Sequence, residues 1–241
     1  MSQRTIHCFS DSEALAGAVC EALVALVNAK IAGGGVFRIA LSGGSTPRRL
    51  YQLLAERSLP WDKIHWYWGD ERNVPADHAD SNYRMVREAL LDRIPDHAET
   101  VFPIPVQPDQ PTLSAQHYED QLRQEFPDRD FPNWDLALLG LGDDAHTASL
   151  FPRTQALAEQ RRWCVANEVP QLQTLRYTLT APAINAAQNI WFLVAGGGKR
   201  PALTQVWSDT LVPHQYPAQL ISPAHPGSVW WVTNDALPEM R

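Results

Sequence analysis

One stretch of the chain, residues 138–152, combines the residue types of an acid–base site. It reads LLGLGDDAHTASLFP, so two carboxylates (Asp143 and Asp144) and one imidazole (His146) follow an apolar run and two glycines. An imidazole titrates near neutral pH and can move a proton to or from a reacting oxygen. The alternative is a solvated acidic turn with an incidental histidine. The glycines and the strand-end position favour a site, because parallel sheets build active sites at such turns.

A glycine-rich loop at 42–46 has the features of a phosphate-binding turn. It follows a short apolar strand, and Thr46 and Pro47 are a good N-cap and a good first residue for a helix. Backbone N–H groups and the helix dipole bind phosphate at such an N-terminus. The loop is neither a Walker loop nor a dinucleotide fingerprint, so an ordinary strand–helix turn remains the alternative. The candidate binding residues are Ser42, Gly43, Gly44, Ser45 and Thr46.

Two cationic side chains follow other predicted strands. Arg72 ends the charged group Asp70-Glu71-Arg72, and Lys199 follows three glycines. The planar guanidinium of Arg72 could bind a phosphate, with Asp70 or Glu71 orienting it. The alternatives are a solvated turn at 70–72 and a surface lysine at 199, where the dipole of a following helix would disfavour a cation.

The elements that must position these loops alternate between strands and helices. Apolar, β-rich runs predict strands at 36–41, 64–68, 135–139, 190–195 and 228–232, and weaker ones at 162–166 and 176–179. Helix starts are predicted at the capping box Ser10–Glu13, at Thr46, at 80–82 and at 180–182, with a further helix around 118–122. The proline-rich segment 95–111 is predicted to be an extended surface connection.

This alternation predicts an α/β fold with a mostly parallel, twisted sheet and helices on both faces, a three-layer, Rossmann-like arrangement. The carboxyl ends of parallel strands meet at one edge of the sheet. We therefore expect the loops 42–46, 70–72, 140–146 and 196–199 to converge on one crevice, which would contain a phosphate site, an Arg, a Lys and a His flanked by acids.

The bulk properties narrow the class of protein. Of 241 residues 44% are apolar and 20% charged, as in ordinary soluble domains, and the net charge of −7 argues against nucleic acid or an anionic membrane as the main partner. Three widely spaced cysteines predict free thiols in a reducing compartment. We see neither a signal peptide nor a run approaching a membrane span, and expect a cytoplasmic protein.

Other chemistries have weaker support in the sequence. No cofactor fingerprint is present, and the histidines lack the spacing of a metal-binding helix, although a metal held by Asp144 and His146 stays open. Cys164 has no base near it in sequence and is expected to be a packed thiol rather than a nucleophile. His146 is left as a general acid–base, acting on a phosphorylated small molecule without a cofactor or covalent intermediate.

Together, these motifs resemble those of the 6-phosphogluconolactonase family. The match runs in order along nearly the whole chain: LSGGSTP at 41–47, DER at 70–72, SN at 81–82, GLGDDAHTASLFP at 140–152, RYTLT at 176–180, Lys199, PA at 217–218 and DA at 235–236. The resemblance implies a single domain over 1–241 with the fold class of glucosamine-6-phosphate deaminase. It also implies cofactor-free hydrolysis of 6-phospho-D-glucono-1,5-lactone to 6-phosphogluconate in the oxidative pentose phosphate pathway.

The resemblance implies roles for individual residues. His146 would activate water, and Arg72, Lys199 and the loop 42–46 would hold the phosphate. Asp70 and Arg176 are further candidates for substrate contacts, and we assign Asp144 to orienting the imidazole. The family has glycine where this chain has Ala145; if that position needs a positive φ, alanine is strained by roughly 1 kcal/mol or more.

Two other functions stay open. An amino-sugar-phosphate isomerase or deaminase shares the fold, but the corresponding segment of that family continues into Asn-Glu-Pro, whereas residues 149–152 here contain no acid. A sugar-phosphate-binding module usually accompanies a DNA-binding segment, and neither spare length nor a basic helix is evident for one.

Overall fold

A seven-stranded parallel sheet forms the centre of the fold. The computed structural model describes residues 4–95, 97–221 and 228–239. Its strands are β1 (Thr5–Phe9), β2 (Phe37–Leu41), β3 (Ile64–Trp68), β4 (Asp70–Arg72), β5 (Val101–Phe102), β6 (Leu136–Leu139), β7 (Cys164–Val169), β8 (Thr174–Leu179), β9 (Ile190–Val194) and β10 (Ser228–Thr233). The main sheet has the order β1-β10-β9-β6-β2-β3-β5, with every pairing parallel. The mostly parallel α/β fold predicted from the sequence is confirmed.

Six helices flank the sheet within the described residues: α1 (Ser12–Ala32), α2 (Ser45–Leu54), α3 (Asn82–Ala89), α4 (Pro111–Glu125), α5 (Ala181–Asn185) and α6 (Arg200–Val206). The central strands β6 and β9 are apolar and buried at every position. A strand with this pattern needs cover on both faces, which helices provide in parallel sheets. The core formed in this way includes Trp66, Tyr67 and Phe192, which are fully buried.

Helix α1 is long and apolar because one face packs into this core. Leu15, Val19, Leu23 and Val27 recur at helical spacing and are buried. By length and composition alone this helix could cross a membrane, so the expectation that no stretch is long enough was wrong. Its N-cap is Asp11, whose carboxylate accepts the N–H of Ala14 at 2.8 Å, and not the predicted Ser10.

A small antiparallel sheet, with the order β4-β8-β7, lies beside the carboxyl ends of the parallel strands. The sequence predicted a loop at 70–72; these residues instead form β4, because their backbone pairs with β8. The predicted strand at 162–166 begins later, at Cys164, and extends to Val169. Short-range patterns cannot reveal this sheet, since its first strand has three residues and its partner lies about a hundred residues away.

Three further differences concern where elements begin and which strands are present. The N-cap of helix α2 is Gly44 and its first residue is Ser45, so the helix begins two residues earlier than the predicted cap Thr46 and first residue Pro47 imply. The proline-rich segment 95–111 is not only a surface connection, because β5 lies within it and adds to the edge of the main sheet. Strand β1 was not predicted; it is mostly exposed and therefore lacks the apolar alternation of a core strand.

Candidate active site

A cavity of about 260 Å³ opens at the carboxyl ends of β2, β3, β6 and β9. These four strands are neighbours in the centre of the sheet, so the loops that follow them meet at one edge. The four segments that the sequence predicted to converge do line one cavity, although 70–72 is the strand β4 rather than a loop. The lining residues are Ser42, Gly43, Gly44, Ser45, Thr46, Pro47, Asp70, Arg72, Asn82, Gly140, Leu141, Gly142, His146, Thr147, Ala148, Leu193, Ala195 and Lys199.

His146 is held by a tight turn after β6. The N–H of Gly142 donates to the carbonyl of His146 at 2.8 Å, and the Thr147 hydroxyl donates to the carbonyl of Gly140 at 2.8 Å. The imidazole stacks on the ring of Phe151, with 4.0 Å between ring centroids. Backbone and side-chain contacts together fix the position of the ring at the wall of the cavity.

Asp144 is hydrogen-bonded to the imidazole and to the backbone of His146. Its Oδ1 lies 2.6 Å from His146 Nδ1 and also accepts the backbone N–H of His146 at 3.1 Å. Partial burial raises the pKa of the Asp144 carboxyl, but the hydrogen bonds and charge of His146 outweigh burial, and the pKa lies below its ordinary value. An ionised carboxylate only accepts hydrogen bonds, so a neutral imidazole in this contact has its proton on Nδ1 and its lone pair on Nε2.

Gly142 makes room for this pair. A Cβ at position 142 would lie 2.0 Å from His146 Nδ1 and 2.8 Å from Asp144 Oδ1. Both distances are shorter than any van der Waals contact, so a larger residue would force the imidazole and its carboxylate to move. This close approach explains why position 142 is a glycine.

Ala145 has φ 64°, in the left-handed region. The positive φ considered in the sequence analysis is therefore present, and alanine carries a strain of about 1 kcal/mol there. The conformation is held by two backbone hydrogen bonds: the Ala145 N–H donates to Gly142 at 3.0 Å, and the Ala145 carbonyl accepts the N–H of Ala218 at 3.0 Å.

The loop 42–46 leads directly from β2 into α2. Gly44 has φ 103° and supplies no capping side chain, so the N–H groups of Ser45 and Thr46 begin the helix without intrahelical acceptors. A Cβ on Gly43 would lie 1.9 Å from Asn82 Oδ1, so glycine is needed for the loop to pack on α3. An N-terminus of this kind, lining a cavity, suits an anion.

Arg72 and Arg176 are directly opposite each other across β4 and β8. Burial, and then the charge of Arg72, lower the pKa of the Arg176 guanidinium. Like charges directly opposite in a sheet are destabilising, and a bound anion would relieve the repulsion. Arg72 lines the cavity, whereas Arg176 is not among the lining residues and donates a hydrogen bond to Thr174 Oγ1 at 2.7 Å.

The carboxylates of Asp70 and Glu71 do not orient the Arg72 side chain, contrary to the sequence-based expectation. Glu71 accepts the N–H groups of Asn82 and Tyr83, both at 2.7 Å, and so caps helix α3. Asp70 accepts the Ser149 hydroxyl at 2.7 Å. The Arg72 guanidinium instead donates to the carbonyl of Asp80.

Lys199 lies at the cavity wall, in the short turn before α6. Its Nζ is 2.7 Å from Asp143 Oδ1, so the first acid of the turn is paired with the lysine and the second with the histidine. The sequence singled out both acids but did not assign Asp143 to Lys199, because fifty-six residues separate the two.

Two other predictions can be compared with the structure. Cys8, Cys20 and Cys164 are free thiols, as predicted, and Cys164 is buried. Within the described part of the chain, no group of three or more His, Cys, Asp and Glu side chains is arranged to hold a metal ion.

Sequence reasoning did not assign a site role to Asn82 or Ser149. The Asn82 amide contacts the backbone of Asp70 at 3.0 Å, and Ser149 links the histidine turn to β4. In the sequence these two residues stood out only because they lie in motifs shared with the family. Their contacts could not be foreseen, because Asp70 lies about a dozen residues from Asn82 and about eighty from Ser149.

Known proteins of one family match this chain over nearly its whole length. The model of the family described as glucosamine-6-phosphate isomerases/6-phosphogluconolactonase matches residues 10–231. A relative named 6-phosphogluconolactonase from Nostoc sp. strain PCC 7120 is 42% identical over 236 residues, which cover 97% of each chain.

Solved structures share the fold. The 6-phosphogluconolactonase of Trypanosoma brucei superposes with a TM-score of 0.87 at 30% identity, covering 98% of both chains. A monomeric glucosamine-6-phosphate deaminase superposes with a TM-score of 0.79 at 17% identity, covering 96% of this chain and 98% of its own, and this likeness shows the fold alone. The relation to the deaminase fold expected from the sequence is confirmed. The chain belongs to the glucosamine-6-phosphate isomerase/6-phosphogluconolactonase family.

Proposed function

We propose that this chain hydrolyses 6-phospho-D-glucono-1,5-lactone to 6-phosphogluconate in the oxidative pentose phosphate pathway, with His146 as general base. The observation that carries the proposal is the 2.6 Å contact between His146 Nδ1 and the Asp144 carboxylate at the wall of the cavity. It leaves Nε2 as the proton acceptor, and the other walls of the same cavity supply cationic and N–H groups for a phosphate.

The phosphate of the lactone would be held by Arg72, Lys199 and the loop 42–46. A guanidinium binds phosphate oxygens through paired N–H donors, and a lysine supplies a point charge. The Lys199 ammonium has three N–H donors, so it could bind the phosphate while keeping its contact with Asp143. Anchoring one end of the substrate places its other end, the lactone carbonyl, near the histidine turn.

His146 would then act on water. Nε2 accepts a proton as the water oxygen bonds to the carbonyl carbon, and a tetrahedral oxyanion forms. When the oxyanion collapses, the bond from this carbon to the ring oxygen breaks and the imidazolium returns its proton to that oxygen. The products are a carboxylic acid, which ionises in water, and the open-chain hydroxyl. The Asp144 carboxylate stabilises the transient imidazolium.

The turn after His146 favours hydrolysis over amino-sugar chemistry. The hydroxyl of Ser149 is bound to Asp70, and the ring of Phe151 stacks on the imidazole. The segment 149–152 therefore supplies no carboxylate to the histidine, which the deaminase alternative requires. A pure binding module would not need a base held in one tautomer.

We also propose that residues 1–241 form a single domain and that the enzyme is cytoplasmic. One connected hydrophobic core runs from Leu15 to Ala236. The free thiols fit a reducing compartment. The only partner we propose is the phosphorylated lactone, without nucleic acid or membrane, and no cofactor is needed for the steps above.

The test is a coupled assay on freshly generated lactone, with spontaneous opening subtracted and glucosamine 6-phosphate as a second substrate. His146→Ala should lower kcat by several orders of magnitude with a modest change in KM. Arg72→Ala should mainly raise KM. Near-normal turnover by His146→Ala, or faster turnover of the amino sugar than of the lactone by the wild type, would contradict the proposal.

A further inference from the structure

The turn that carries Lys199 is anchored to the end of the neighbouring strand β10. Gly196 has φ 97°, and the N–H of Lys199 donates to the Gly196 carbonyl at 3.0 Å, which closes the turn. The N–H groups of Gly196 and Gly197 donate outside the turn, to Thr233 Oγ1 and Asp235 Oδ2, both at 2.9 Å. Residues at the end of β10, which lies beside β9 in the sheet, therefore decide where this turn sits.

Asp235 joins these contacts into one network. Its Oδ1 accepts the Thr233 hydroxyl at 2.6 Å, and its Oδ2 accepts the N–H of Gly197. These hydrogen bonds, that from Thr233 above all, hold the pKa of the Asp235 carboxyl below its ordinary value, and bonds to an ionised carboxylate are stronger than neutral ones. Its carbonyl accepts two N–H groups of Arg200, at 2.9 and 3.2 Å, where α6 begins. Asp235 thus contacts the chain on both sides of Lys199.

The Lys199 ammonium depends on this turn for its position. A lysine side chain is a flexible four-carbon stem, and the ammonium of Lys199 contacts Asp143, whose side chain is 80% exposed. An exposed ion pair contributes little to holding a side chain, because water and salt weaken it. The backbone of 196–199 must therefore supply much of the order that keeps the ammonium at the cavity wall.

Asp235 is not part of the cavity wall. It is exposed, it is not among the residues that line the cavity, and both of its carboxylate oxygens accept hydrogen bonds from the chain itself. A carboxylate in direct contact with a phosphate would also repel it. Any favourable effect of Asp235 on a bound phosphate must therefore pass through Lys199.

We infer that Asp235 is a positioning residue, which holds the turn 196–199 so that Lys199 reaches the phosphate of the substrate. This role rests on the function proposed above, in which Lys199 is a phosphate ligand. The motif at 235–236, which the resemblance included but connected with no chemistry, thereby gains a physical role.

Binding of the reaction product tests this role without turnover. The ligand is 6-phosphogluconate, which keeps the phosphate but cannot be hydrolysed further by the lactonase reaction. Calorimetric titration gives its Kd for wild type, Asp235→Ala, Asp235→Asn, Lys199→Ala and the double variant Asp235→Ala/Lys199→Ala. The matched control is Asp11→Ala. The Asp11 carboxylate also accepts one backbone N–H and one hydroxyl, both at 2.8 Å, but it caps α1 and does not line the cavity.

Lys199→Ala should raise Kd about 10- to 100-fold, as expected for losing a charged hydrogen bond. Asp235→Ala should raise Kd about 5- to 20-fold, because a displaced ammonium keeps part of its attraction for the phosphate. When Lys199 is already alanine, the same substitution should change Kd by less than about 2-fold.

Asp235→Asn should bind the product within about 3-fold of the wild type. Its amide oxygen can accept the N–H of Gly197, and its NH₂ group can donate to Thr233 Oγ1. In the lactone assay, Asp235→Ala should raise KM by about the same factor as Kd and leave kcat within about 3-fold of the wild type.

A merely structural or electrostatic role would give different results. Asp235→Ala and Asp11→Ala should have similarly lowered unfolding temperatures, but only Asp235→Ala should bind the product more weakly. Equal weakening by both variants, or an undiminished effect of Asp235→Ala when Lys199 is already alanine, would overturn the inference. Tighter binding by both Asp235→Asn and Asp235→Ala would do the same, since Asp235 would then act only by repelling the phosphate. Failure of the proposed function would look different, because the wild type would then not accelerate lactone opening while the pattern of Kd values persisted.

Discussion

Replacing Asp144 by Asn tests whether the carboxylate acts on the imidazole through its charge. The side chain keeps its size, and its amide oxygen can still accept from His146 Nδ1, which lies 2.6 Å from Oδ1 in the native protein. The charge that stabilises an imidazolium is lost. A hydrogen bond to a charged group contributes about 1.5–3 kcal/mol, and each 1.4 kcal/mol is a factor of ten in rate. The Asp144 side chain is 42% exposed, so solvent weakens the effect.

We therefore expect kcat to fall about 10- to 100-fold, with KM changed little, because the carboxylate acts in the transition state and not on bound phosphate. The matched control is Asp143→Asn, which removes the same charge from the adjacent residue but contacts Lys199. Its effect should appear in KM, while kcat stays within about 2-fold of the wild type. Both variants would be assayed across the neutral pH range with spontaneous opening subtracted. Equal losses of kcat in the two variants would refute the reasoning, since they would point to a general effect of charge.

Three further changes test the supports of the site. Gly142→Ala should lower kcat about 100-fold, because its Cβ would displace His146. Gly140→Ala is the control: the space around its Cβ is open, so kcat should fall several-fold at most in the same assay. Ala145→Gly should change the free energy of unfolding by less than about 1 kcal/mol. Relief of backbone strain stabilises the variant, whereas its more flexible unfolded chain and the loss of a buried methyl group destabilise it. A larger change, measured by urea denaturation, would argue against a strained alanine. Glu119→Gln should lower stability at neutral pH by about 1.5–3 kcal/mol without altering KM, because the buried Glu119 carboxylate accepts from Arg123, Arg162 and the Trp163 N–H. Burial raises the pKa of Glu119, but these hydrogen bonds lower it by more, so the pKa in the folded protein lies below its ordinary value. The contribution of Glu119 to stability is therefore full above its unfolded pKa of about 4.3 and is lost as the pH falls from that value through the folded pKa. Denaturation curves of wild type and Glu119→Gln should thus converge in acid, and a constant difference at all pH values would exclude an ionised Glu119 as the cause.

The sequence predicted the parts of the fold whose causes are local. Strands such as β6 and β9 are uninterrupted apolar runs that end in glycine turns, and this pattern is visible without knowledge of the partner strand. Once the sheet was known to be parallel, convergence of the four loops followed from geometry. The strand β4 was missed because its residues are charged and its pairing with β8 is decided by tertiary structure.

The candidate site was predictable as a set of residues but not as a set of contacts. Charge and residue type singled out Asp70, Asp143, Asp144 and Lys199. Which acid pairs with which partner depends on the path of the backbone through the turn, so Asp143 could not be assigned to Lys199, nor Asp70 to Ser149.

The left-handed turn at Ala145 connects two motifs that are far apart in the sequence. A residue with a Cβ keeps a positive φ only when its surroundings fix the backbone more strongly than the strain opposes it. Here the Ala145 carbonyl accepts the N–H of Ala218, and Ala145 itself is buried. The short motif at 217–218, which carried no chemistry of its own in the sequence, thus has a physical role: it clamps the turn that presents His146.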